Sequence, residues 1–208
     1  MSDIEGVLGR LEGTIEHQAL TEIEEAYERI DREQSVWYKT SRFTCPGGCG
    51  ECCVHFEPDL LDSEALYMGA WLLEHQPDTA CQVAEGKFPF ANSGFCPFFN
   101  SSSPFHCSIY GGRAFICRLF GAGCTRAKDR HLVWKPCRFY PDKVLAQHTP
   151  PLEHRQYSEK ELTDIFGAVP PDMQTLMKGA GTDADTKLLR DTLPKIIRHL
   201  MFIIEINR

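Results

Sequence analysis

The sequence predicts a mainly α-helical single domain whose middle is loop-rich and cysteine-rich. Three observations predict it. Apolar residues recur at helical spacing in both flanks, all 10 cysteines fall between Cys45 and Cys137, and prolines and glycines punctuate the stretch from Phe88 to Pro151. A chain of 208 residues can bury a core without covalent staples, so the cysteines are not there to rescue a miniprotein. The expected organisation is a helical segment over 1–38, a cysteine-cluster core over 39–150 and a helical segment over 151–208 that packs on that core.

In the first flank, Ile4, Val7, Leu8, Leu11, Ile15, Ile23, Tyr27 and Ile30 mostly follow helical spacing, with Glu22, Glu24, Glu25 and Arg29 as a solvated face. Gly9 and Gly13 weaken the start of that helix. A second helix is expected from Asp62 or Ser63 as N-cap toward Glu74. In the last flank Ser158 caps a short helix carrying Leu162, Ile165 and Phe166. Pro170 and Pro171 break it, and Asp172 caps a further turn. The final segment places Leu188, Leu189, Leu193, Ile196, Ile197, Leu200, Met201 and Ile204 on one broad face, where core packing is expected and Pro194 kinks or splits the helix. In the middle, Ala114–Ile116 and His131–Trp134 read as short strands.

Lys plus Arg number 22 against 29 Asp plus Glu, a net charge of −7. That balance argues against nonspecific nucleic-acid binding, which needs basic residues to neutralise phosphates. The chain opens Met1-Ser2-Asp3-Ile4-Glu5, without a basic and apolar leader, and the run Leu200–Ile204 is far shorter than the roughly 20 residues that span a bilayer. A cytoplasmic protein with no membrane partner is expected. Disulfides rarely persist there, so clustered cysteines read first as metal ligands or redox groups.

Cys45, Cys49, Cys52 and Cys53 lie within nine residues, and Cys96, Cys107, Cys117 and Cys137 follow downstream. Four thiolates make a tetrahedral zinc site at about 2.3 Å or hold an iron-sulfur cluster. Close spacing lowers the entropy of assembling such a set, and Gly47, Gly48 and Gly50 allow turns that aim backbone N–H groups at sulfur. These eight cysteines are the candidate metal ligands. They suffice for two four-thiolate sites and equally for one site with spare thiols. Cys52 and Cys53 are adjacent, and in extended backbone neighbouring side chains point to opposite sides, so one ion holding both requires a special turn. Otherwise they serve different sites, or one is a buried or reactive thiol. Isolated Cys81 reads as a small buried apolar residue, and Cys124 as a reserve ligand.

The loop Cys45-Pro-Gly-Gly-Cys49-Gly-Glu-Cys52-Cys53 resembles the CxxCxxCC cysteine-cluster family, described as zinc- or iron-chelating. Downstream, Cys96-Pro97-Phe98-Phe99, Cys107-Ser108-Ile109-Tyr110, Arg113 and Cys117-Arg118-Leu119-Phe120 are similar to that family's ordered series, and Cys137 to its later cysteine. Three residues rather than two separate Cys45 from Cys49, and Ala114 stands where the pattern has proline; neither departure removes a sulfur. The resemblance covers roughly residues 45 to 137 and implies a metal centre. A related cluster in flagellin lysine N-methylase implies an alternative, S-adenosylmethionine-dependent methylation of protein lysine. The string Cys45-x3-Cys49-x2-Cys52 also matches a radical-enzyme motif, although 208 residues with helical flanks do not easily supply the larger α/β barrel that such enzymes use. No G-x-G-x-x-G turn follows a strand.

His55 and His106 are alternative ligands beside the cysteines. Arg113, Arg118 and Arg138 either offset thiolate charge or form ordinary surface pairs. Phe95, Phe98, Phe99, Phe105 and Phe115 wall off the centre or are plain core. The expectation is a cytoplasmic protein holding a 4Fe-4S-type iron-sulfur cluster, or zinc, through thiolates, with a redox or metal-sensing role. The alternatives are the methylating enzyme and a structural-zinc interaction module, with any protein partner unidentified.

Overall fold

The computed structural model describes residues 3–43, 49–91, 95–177 and 185–207. The chain is mainly α-helical, with two small sheets among the described residues. It forms two compact units: Met1–Glu25, Gly48–Cys117 and Gly179–Arg208 make the first, and Ala26–Gly47 with Arg118–Lys178 the second.

Helix α1 (Glu5–Arg10) and helix α2 (Ile15–Ser41) replace one continuous N-terminal helix. The break falls at Gly13, whose φ of +81° ends helical backbone where a side chain would be strained. Ile4, Val7, Leu11 and Ile23 are buried as the helical spacing requires, whereas Ile15 stays 81% exposed at the start of α2.

The first unit continues with α3 (Glu51–His55), β1 (Asp59–Leu60), α4 (Asp62–His75) and α5 (Pro77–Ala84). It also takes in the first turn of α6 (Phe115–Leu119), then β5 (Lys187–Leu188) and α10 (Leu189–Ile206). The cap of α4 is Leu61, one residue before the expected start. Glu64 at its third position accepts from the Leu61 N–H at 2.9 Å, which satisfies a donor that the helix itself cannot. Strands β1 and β5 pair antiparallel, Asp59 opposite Leu188 and Leu60 opposite Lys187, and so fasten the start of α10 to the segment that follows α3.

Helix α10 runs through Pro194 without splitting. Proline there, the sixth residue, lacks the N–H that the Arg190 carbonyl would otherwise receive, so one intrahelical bond is lost without breaking the helix. Leu193, Ile197 and Leu200 pack inward, and the core they join includes Leu60, Met68, Leu72, Val83 and Phe98. Burying such side chains contributes roughly 1.5–3 kcal/mol each, which explains why this face is core rather than docking surface.

In the second unit, β2 (Thr125–Arg126), β3 (Leu132–Trp134) and β4 (Tyr157–Ser158) form an antiparallel sheet in the order β2-β3-β4. Val133 faces Thr125 on one side and Ser158 on the other. Helices α7 (Asp142–Leu145), α8 (Glu159–Phe166) and α9 (Met173–Met177) complete it. Its core is aromatic: Trp37 meets Trp134 and Phe166 edge-on at 5.6 and 5.3 Å, and Phe43 stacks on Tyr140 at 4.4 Å. Ser158 caps α8 with Glu161 in a reciprocal box, and Asp172 accepts from the Gln174 N–H at 3.1 Å to start α9.

Two local expectations are corrected. Ala114–Ile116 is not a strand: Phe115 opens α6. Cys81 is not buried, because α5 turns it outward while Ala80, Val83 and Ala84 face the core. No helix among the described residues is long and apolar enough to cross a membrane.

Candidate metal centre

Gly50 begins the centre. Its φ of +57° is left-handed backbone, and a Cβ there would lie 2.5 to 2.8 Å from the His106 ring, so only glycine suits the position. The chain then enters α3, with the Cys53 N–H donating to the Gly50 carbonyl at 2.9 Å. Because Cys52 and Cys53 are helical rather than extended, their side chains diverge by about 100° instead of 180°. Their Sγ atoms lie 4.0 Å apart. The edge of a tetrahedral zinc-thiolate set is about 3.8 Å for ligands at about 2.3 Å. The special turn that adjacent cysteines require is therefore a helical one.

The last carbonyls of α3 lack intrahelical donors, and the next cysteine segment supplies them. The Cys96 N–H donates to the Cys53 carbonyl and the Phe95 N–H to the Val54 carbonyl, both at 3.2 Å. From Cys96 the chain folds back on itself. The Ser108 N–H donates to the Phe98 carbonyl and the Asn100 N–H to the His106 carbonyl, both at 3.0 Å, with Phe99 bridged to Cys107. Cys117 arrives on α6, whose first residue, Phe115, donates its N–H to the buried Glu64 carboxylate at 2.6 Å.

These segments bring Cys52, Cys53, Cys96, Cys107 and Cys117 within electrostatic reach of one another. The hydrogen bond from the Cys53 thiol outweighs burial and pulls Cys52 down to about 7, while the same bond, burial and neighbouring sulfur charge push Cys53 far up. Burial raises Cys96 to about 12 against a Phe98 N–H that donates to its sulfur. Burial also raises Cys107, against an Ile109 N–H and the Arg113 charge. Cys117 is raised by burial and then by charge at Cys96, Cys107, Cys52 and Glu64. Apart from the bond that favours the Cys52 thiolate, neighbouring sulfur charge opposes ionisation of Cys53, Cys96, Cys107 and Cys117, and a bound cation reverses that sign.

Of the other candidate ligands, Cys45 lies outside the described residues, and half-buried Cys49 directly precedes Gly50. Cys137 belongs to the second unit, packed against its aromatic core with Cβ close to Gly121. Cys124, in the same unit, is fully buried and raised to about 12 by burial. His106 lies over Gly50 and meets Phe99 edge-on at 5.9 Å, while His55 faces Glu51 at 3.8 Å. Among the described residues no three Cys, His, Asp or Glu side chains already surround one point as metal ligands.

The aromatic wall is divided. Phe98, Phe99 and Phe115 are buried, but Phe95 is 63% and Phe105 57% exposed, the latter stacked on Tyr110 at 4.2 Å. Arg113 covers the Tyr110 ring at 3.7 Å. Arg118, only 6% exposed, belongs to the second unit, where it lies over Tyr27 and faces Asp31 at 3.6 Å; Arg138 lies over Phe139. Three further residues bond the segments that carry the thiols: Glu64 accepts from Phe115 on α6, and Arg190 donates to Glu57 and to the Phe95 carbonyl. Glu64 carried a sequence signal, an acid three residues into a helix. Arg190 carried none, since its contacts are long-range.

Soft sulfur donors with backbone N–H groups turned onto two of them suit zinc or iron. A helical frame enclosing such a set defines a cysteine-cluster protein. The chain belongs to the CxxCxxCC family, described as a "putative zinc- or iron-chelating domain", whose model matches residues 44–161. No curated protein and no solved structure matches it.

Proposed function

We propose that this chain is a cytoplasmic metal-binding protein that holds an iron-sulfur cluster through thiolates and serves a redox or metal-sensing role. The observation that carries the reading is the gathering of Cys52, Cys53, Cys96, Cys107 and Cys117 in one unit. Five thiols exceed the four that one closed zinc site takes, which favours a clustered metal. Cys49, just before Gly50 in the same unit, extends the set, and Cys45 and Cys137 remain proposed ligands by the sequence pattern alone. Zinc is the second reading, favoured by the 4.0 Å spacing of Cys52 and Cys53, which suits two ligands of one ion.

The protein's own contribution is to bury the sulfurs, to turn the Phe98 and Ile109 N–H groups onto them and to limit water with Phe98, Phe99 and Phe115. When bound, iron-sulfur would supply one-electron chemistry, whereas zinc would supply a fixed fold. Untagged protein purified without oxygen tests the reading by metal content, acid-labile sulfide and visible absorption. Near-equal iron and sulfide with broad visible colour supports the cluster. Stoichiometric zinc, no sulfide and no colour supports the second reading, and the absence of both metals overturns the assignment.

A further inference from the structure

The N-terminal turn of α10 carries no cysteine, yet it holds two cysteine-bearing segments. Arg190 donates its backbone N–H to Glu57 Oε1 at 3.0 Å and its Nε to Glu57 Oε2 at 2.9 Å. Its Nη2 donates to the Phe95 carbonyl at 2.8 Å, and the same guanidinium reaches the Ala91 carbonyl at 3.5 Å. Glu57 closes the segment that follows Cys52 and Cys53, and Phe95 directly precedes Cys96. The Leu189 N–H donates to the Pro58 carbonyl at 3.2 Å, so the backbone seats the side chain.

We propose that Arg190 is the positioning residue of the metal centre: its guanidinium fork ties the Cys52–Cys53 segment to the Cys96 segment. The inference rests on the metal-centre reading above. A planar fork suits the task because it bonds a carboxylate and backbone carbonyls on different segments at once, which an ammonium point charge does not reproduce. The Glu57 charge works against the ionised Cys96 sulfur more strongly than the Arg190 charge favours it, so the fork and not the charge carries the role. Four thiolates around a divalent ion leave a charge of about −2, which a neighbouring cation stabilises. The Arg113 charge favours the ionised Cys107 sulfur from an exposed position, and its Nη1 donates to the Tyr110 carbonyl at 2.8 Å, three residues away.

The test is Co²⁺ binding to the reduced, metal-free full-length chain, followed by sulfur-to-cobalt charge-transfer absorption and chelator competition. Arg190→Gln is expected to weaken Co²⁺ by about ten-fold or more, the usual cost of losing an outer-shell partner. Arg190→Lys, which keeps the charge and loses the fork, is expected to fall between that variant and the parent. Lys187→Gln removes a neighbouring cation that pairs with Asp62 on the surface at 2.9 Å, and is expected to bind as the parent does. Thermal unfolding of each metal-free variant separates positioning from stability. A role in folding alone lowers the midpoint and leaves Co²⁺ affinity at the parent value, which overturns the proposal. Equal losses in Arg190→Gln and Lys187→Gln overturn it too, as a general charge effect. If Arg190→Gln does not fold, parent-like affinity in Arg190→Lys is decisive against the fork. A parent chain that binds no Co²⁺ overturns the metal-centre reading itself.

Discussion

Glu64 Oε1 accepts the N–H of Phe115, the first residue of α6, at 2.6 Å, while Oε2 accepts the N–H of Leu61 at 2.9 Å. One buried carboxylate thus starts two helices, α4 on its own chain segment and the helix that carries Cys117 from 51 residues away. Removing it leaves two buried donors unsatisfied. Glu64→Ala is expected to cost about 2–3 kcal/mol, the range for losing charge-assisted hydrogen bonds. Denaturant unfolding of the metal-free chain checks this, and a loss within experimental error would refute the dual role.

The thiols differ in reactivity at neutral pH. Thiolate is the nucleophile, and Cys52 is held near 7 by the hydrogen bond from Cys53, whereas burial lifts Cys96 to about 12 and also raises Cys117. Iodoacetamide on the folded, reduced, metal-free chain is expected to modify Cys52 well before Cys96 or Cys117. The Cys52 rate should climb through a midpoint near pH 7. Peptide mass spectrometry reads the order, and Cys96 labelling at the Cys52 rate would contradict it.

At Gly50 two separate costs meet. Gly50→Ala places a Cβ in left-handed backbone, about 1–2 kcal/mol, and against the His106 ring. The double variant with His106→Ala is expected to recover the clash and not the backbone cost. Thermal midpoints of the two variants separate the contributions; identical midpoints would show that His106 yields freely.

Glu16, in the first turn of α2, accepts from His199 Nε2 at 2.7 Å. Burial is the largest single influence and raises its carboxyl, but the bonds to His199, to its own backbone and to Thr14 together outweigh burial and hold it below the usual value of 4.5. A depressed folded value means stability that is present above about pH 4.5 and is lost as pH falls through the lower folded value. Because His199 is half exposed, the contribution is expected to stay below about 1 kcal/mol. Glu16→Gln should therefore unfold more easily than the parent at pH 6 and match it near pH 2. A gap that persists unchanged into acid would contradict the linkage.

What the sequence made legible was local. Ser158 and Glu161 announce α8 because a capping box is written within four residues, and the helical spacing of Leu193, Ile197 and Leu200 marks a core face. Phe115–Leu119 was not legible: an aromatic and β-branched start reads as strand until Glu64 caps it from another helix. The gathering of Cys52, Cys53, Cys96, Cys107 and Cys117 follows from spacing only in part. Their mutual placement depends on α3 being helical and on its open carbonyls receiving Cys96 and Phe95. Cys81 defeats a propensity argument, since one turn of α5 decides which side faces water.

The two sulfurs of α3 ride on a single helical turn, and that changes how a metal would be captured. They present themselves as one bidentate arm, so an incoming ion loses no further chain freedom when it passes from the first sulfur to the second. The effective concentration of the second thiol around an ion held by the first is set by the helix and not by a flexible tether. Capture then reduces to a preformed dithiol closing against sulfurs on separate segments. Lengthening the chain by one residue between Cys52 and Cys53 would swing the second thiol a further 100° around the helix and convert the chelating arm into two independent donors.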